Sequence, residues 1–132
     1  KAEGPYATVG RPGEATESIV EKLKPDVIIM IDAALKLEGE DSGSVAQGFG
    51  AAIGGIGTDR FKIEAIATKY DIPIFAIVVR QSVKEAITLM TKEISDQAEN
   101  VKSQVYEMIT DNSNPNQTVL VIGVGNTLGV AQ

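Results

Sequence analysis

Five consecutive apolar residues, Val27-Ile28-Ile29-Met30-Ile31, follow Pro25-Asp26 and end at Asp32. A run this short and apolar at every position reads as a strand covered on both faces, assigned here to residues 26–33. Ile74-Phe75-Ala76-Ile77-Val78-Val79 is a second such strand, and residues 118–124 are a third. Between them the spacing turns helical. Ile19, Val20 and Leu23 place a helix over residues 15–24, stopped by Pro25. Thr58 or Asp59 suits the N-cap of another, with Phe61, Ile63, Ile66, Ala67 and Tyr70 as its apolar face and residues 71–73 as its stop. Ser82 with Glu85 three positions on is a capping-box pair. Behind it Val83, Ile87, Met90, Ile94, Ala98, Val101, Val105 and Met108 recur at spacings of three and four. Residues 5–9 are expected as a short strand, 10–13 as a turn and 111–116 as a polar loop. Strands separated by helices imply right-handed crossovers and a mainly parallel sheet, so the expected fold is a three-layer α/β/α sandwich.

A helix unbroken over residues 83–111 would be about 43 Å long, whereas a domain of this size has a radius of gyration of about 14 Å. It therefore bends, breaks or projects. A break near Asn100 lets the stripe pack on the sheet; projection would let two copies pair through it, which makes a homo-oligomer the second expectation.

The 132 residues fit one α/β domain, and the chain begins at Lys1, so it is expected to be the C-terminal part of a longer protein. Eighteen acidic against twelve basic residues give net charge −6 and leave no electrostatic footprint for nucleic acid. Cys, His and Trp are absent, which removes thiol nucleophiles, His-dependent triads and zinc sites of imidazole or thiolate. No apolar run reaches the length of a membrane span, and no signal peptide is evident. A cytoplasmic location is expected, with any anchor on a segment outside this chain.

Ligands of open α/β sheets bind beyond the carboxyl ends of the strands, which makes Asp32 a candidate site residue; capping the next turn is its plain role. Around it lie four constellations. Asp32, Glu38, Glu40 and Asp41 offer oxygen ligands to a divalent cation, although a solvated charged loop explains them better and no cofactor is required. Lys36 is the nearby cation, suited to a substrate carboxylate. Seven glycines fall within residues 39–57, and Gly48, Gly50, Gly54 and Gly55 lead towards a helix start that can receive an anion. They lack the phosphate-loop spacing and its lysine. Gly125 and Asn126 close the last strand in the same way. Finally, Glu14 and Glu17 fall at the start of the first helix, where they favour the helix dipole or place a second carboxylate beside Asp32.

The segment from Gly10 to Glu17, followed by Ile19-Val20-Glu21-Lys22-Leu23-Lys24-Pro25-Asp26-Val27-Ile28-Ile29-Met30-Ile31-Asp32-Ala33, resembles the core of the spore germination proteases. The likeness continues through Ile72 to Val79 and Val83 to Ile87. Val119-Leu120-Val121-Ile122-Gly123-Val124-Gly125-Asn126-Thr127 is similar to the opening strand of the related hydrogenase maturation proteases. The chain also resembles an uncharacterised archaeal protein family that carries Lys-Leu-Glu-Gly-Glu and Gly-Val-Gly-Asn-Thr. The resemblance implies a phosphorylase/hydrolase-like, maturation-protease-like fold and matches Asp32 to one acid of the germination-protease pair. The other acid lies on an upstream segment that this chain does not contain, and the nickel-site His of the maturation proteases has no counterpart. Glu14 is the candidate substitute by position.

Three functions remain open from the sequence. One is a domain that binds a peptide or small anion around Asp32 without catalysis, one a hydrolase in which Asp32 and a second acid activate water, and one a nucleotide-binding domain using the glycine loops.

Overall fold

The structure, a computed structural model, describes residues 12–50 and 58–124. The strand expected at residues 5–9 and the first half of the turn at 10–13 lie outside the described residues. In chain order the elements are α1 (Pro12–Leu23), β1 (Val27–Leu35), β2 (Val45–Phe49), α2 (Thr58–Lys69), β3 (Ile74–Gln81), α3 (Val83–Ala86), α4 (Lys92–Ser95), α5 (Ala98–Asn112) and β4 (Val119–Gly123). The fold is α/β, with a four-stranded sheet in the order β2-β3-β1-β4. β1 runs parallel to both β3 and β4, and β2 lies antiparallel on the outer edge of β3.

The alternation of side chains along β1 divides the core. Ile28, Met30 and Ala34 point to one face, where they pack with Val20 of α1 and Ile63, Ile66 and Ala67 of α2. Val27 and Ile29 point to the other, where Ile77 and Met108 complete a second cluster edged by Val101, Val105 and Ile109 of α5. Both faces of β1 are therefore dry, which is why its sequence is apolar without a break.

Four expectations change. α1 begins at Pro12 rather than Ala15, since a proline in the first turn needs no N–H partner; the Thr16 hydroxyl donates back to the Pro12 carbonyl at 2.7 Å. The apolar face of α2 is narrower than its spacing suggests. Phe61 is 72 % exposed, and Tyr70 instead ties α2 to α1 by donating to Glu21 at 3.2 Å. The glycine-rich stretch contains β2, held in register from Val45 opposite Val79 to Phe49 opposite Phe75.

The fourth change is the long helix. The capping box at Ser82 forms with both of its hydrogen bonds, but α3 ends at Ala86; Thr91 is extended, α4 lasts one turn, and α5 starts after Gln97. β3, the strand the chain leaves, is about 26 Å long, so a continuous helix would overshoot the sheet on which its stripe must pack. Breaking it returns α5 across β1 and β3.

Candidate functional site

Asp32 sits at the carboxyl-terminal half of β1, opposite Val78, and is 8 % exposed. It has the parity of Ile28 and Met30, so its side chain belongs to the face covered by α1 and α2. The Ala33 N–H donates to its Oδ1 at 2.8 Å. Burial pushes the carboxyl above its ordinary range, while the Ala33 N–H and the positive charge of Arg60 pull it back. A second carboxylate is not among these causes.

The raised ionisation has a consequence for stability. Between the ordinary value near 3.8 and the higher value in the folded protein, the native state holds more protons than the unfolded chain, so stability falls as pH rises through that window. Asp32→Asn keeps an acceptor for Ala33 and cannot ionise. Its unfolding midpoint is expected to exceed that of the wild type above the window and to converge on it below. Thermal scans across a pH series measure this, and parallel curves at all pH values would refute it.

The printed contacts of Glu17, Lys36, Glu40, Gly48 and Gly50 are with groups other than Asp32. Glu14 is exposed in the first turn of α1, and Glu17 meets Lys69 of α2 at 4.0 Å. Lys36 contributes, after two hydrogen bonds from Ser82 and one from Ser42, to holding the Glu85 carboxyl below its ordinary range. Glu38 is solvent-facing, while Glu40 accepts from the Leu37 N–H at 2.7 Å and lies 3.6 Å from Arg80 Nε. The acidic loop is thus tied internally, and among the described residues no three carboxylates converge as a metal site. Gly48 lies opposite Ala76 and Gly50 donates to the Ile74 carbonyl, towards the start of β3, whereas Asp32 is near its end. Gly54, Gly55, Gly125 and Asn126 lie outside the described residues.

A concavity lies across the sheet from the α1–α2 face. α5 packs over β1 and β3, and a groove of 730 Å³ lies between α4–α5 and the strands. Ile31, Val79 and Val121 form its floor, and Ile94, Val101 and Val105 its wall. Asp32 borders it from within the strand, and Lys102 and Tyr106 stand on its α5 side. Gln81, the last residue of β3, lines the same groove at 2 % exposure, and its Nε2 has no hydrogen-bond partner. A covered donor left unpaired costs about 1–3 kcal/mol.

β3 and β4 run in the same direction, so the helix returning the chain between them begins at the end where Gln81 lies. That start, at Gln97, has no side-chain cap. The stripe Met90, Ile94, Ala98, Val101 and Val105 is the sequence trace of the groove wall, and a glutamine closing the apolar run of β3 is the trace of a buried donor there.

A family model described as Domain of unknown function (DUF1512) C-terminal matches residues 1–131. No curated protein and no solved structure matches the chain. Among the described residues no helix is long and apolar enough to cross a membrane.

Proposed function

The chain belongs to this C-terminal domain family of unknown function, and we propose that it is a binding domain whose groove between α5 and the β1–β4 edge receives an elongated apolar ligand. The observation that carries this is the groove itself: 730 Å³ lined by aliphatic side chains, within the size of known small-molecule sites. Helices on both faces of the sheet support a three-layer α/β/α arrangement, and with the resemblance of Asp32 and its strand they suggest a protease-like scaffold used for recognition.

N-phenyl-1-naphthylamine, a neutral apolar fluorophore, tests the groove directly. Val121 is 42 % exposed on the groove floor, so Val121→Trp fills the space without disturbing the core. Saturable binding to the wild type at one site is expected, weakened at least tenfold in Val121→Trp at unchanged stability. Absence of saturable binding, or equal binding by the variant, overturns the proposal.

A second reading has its own observation. Asp32 is a buried carboxyl with raised ionisation at a strand end, the kind of group that serves as a general acid or base. If it acts on a peptide bond, Asp32→Asn abolishes hydrolysis of a peptide library that the wild type cleaves; a wild type without activity on the library removes that reading.

A further inference from the structure

The groove contains a feature that an apolar ligand alone does not explain. Gln81 places an amide donor beneath aliphatic walls with nothing to receive its proton. An unpaired buried donor is disfavoured unless something else satisfies it. At the same end of the groove lies the start of α5, where the helix dipole is positive and Gln97 supplies no side-chain cap. The Gln97 side chain is turned away from capping by accepting from Asn100 Nδ2 at 3.0 Å. Lys102, one turn further along α5, borders the groove with its ammonium 3.2 Å from Glu99. Donors thus collect at one end of a trough whose walls are mostly aliphatic.

Resting on the proposed binding role of this groove, we propose that its ligand is an aliphatic monocarboxylate. The carboxylate accepts from Gln81 Nε2 at the start of α5, and the chain lies along Val101, Val105 and Val121. An oxygen anion answers both the unpaired amide and the uncapped helix start, whereas an ammonium head answers neither. From Ala98 to Ile109, both on the wall, α5 advances about 16 Å, room for a chain of medium length. Asp32, which also borders the groove, has the parity of Ile28 and Met30, and its carboxylate already accepts from the Ala33 N–H at 2.8 Å.

The experiment titrates the protein with sodium octanoate, decanoate and dodecanoate below their micelle concentrations, and with decylamine, by calorimetry. Kd is expected to tighten about fourfold per added methylene until the groove is filled, and decylamine is expected not to bind. Gln81→Leu keeps the volume apolar and removes the donor. It should weaken decanoate at least tenfold, weaken N-phenyl-1-naphthylamine by a smaller factor, and unfold at the same or a higher temperature, because no orphaned amide remains. A decylamine affinity equal to that of decanoate, or full decanoate affinity in Gln81→Leu, overturns the carboxylate assignment while the apolar groove stands. Failure of the fluorophore and of every acid to bind the wild type overturns both.

Discussion

Ile29→Ala is expected to lower the unfolding free energy by about 3–4 kcal/mol. Ile29 has no exposed surface, lies in the middle strand between Phe75 of β3 and Val121 of β4, and faces α5 with Val27, Ile77 and Met108. Truncation removes three carbons worth about 0.8 kcal/mol each in transfer. It also leaves a cavity that strands paired on both sides cannot close, and this raises the total above the transfer value. For a domain whose whole stability is about 5–15 kcal/mol, this is a large share. Leu35→Ala, at the exposed end of the same strand, is the control and should cost less than about 1 kcal/mol. Urea unfolding monitored by circular dichroism measures both, with the midpoint shifting and the slope unchanged. An Ile29→Ala cost no larger than that of Leu35→Ala would mean that the α5 face of the sheet is not a packed core.

The contrast between these positions explains which elements the sequence announces. β1 and β3 are covered by helices on both faces, so every position selects an apolar residue and the runs stand out. β2 has one strand neighbour, and most of its residues are only half covered, so Val45-Ala46-Gln47-Gly48-Phe49 carries neither a continuous run nor a clear alternation. Its pairing with β3 depends on residues some thirty positions away, and glycines that serve equally well in a loop conceal it. The stripe after Ser82 is informative in another way. Met90, Ile94, Ala98, Val101 and Val105 line one groove although the backbone breaks between α3 and α4 and again before α5. Spacing reports which way side chains face, not whether the helix is continuous.

The candidate site follows the same logic. The parity of Asp32 with Ile28 and Met30 is visible in the sequence, and it assigns the carboxylate to the α1–α2 face. The groove on the other face is not visible, because it arises from where α5 comes to rest relative to β4, a distance set by packing of Met108 and its neighbours rather than by any local motif. Gln81 reads as an ordinary strand end until the lack of a partner for its amide is seen.

Gly43→Ala is expected to cost about 2–4 kcal/mol and to weaken ligand binding in the protein that remains folded. Gly43 has φ +85, a conformation that costs an L-residue about 1–2 kcal/mol. A Cβ there would also lie 2.7 Å from the Glu93 carbonyl oxygen and 3.3 Å from Gln97 Cγ, and the first of these is backbone that cannot rotate away. Gly43 cannot retreat either, since its N–H donates to the Arg80 carbonyl at 2.8 Å next to Gln81. The strain therefore passes to α4 and to the start of α5, the elements that hold Ile94 and Gln97 at the groove. Gly39→Ala separates the two contributions: its φ of +87 is nearly the same, but an added Cβ meets nothing within 4 Å. It should show the conformational cost alone and leave N-phenyl-1-naphthylamine binding unchanged. Urea unfolding and fluorophore titration of the two variants side by side decide the matter. Equal losses of stability and equal affinities would show that the close approach of the acidic loop to α4 does not shape the groove.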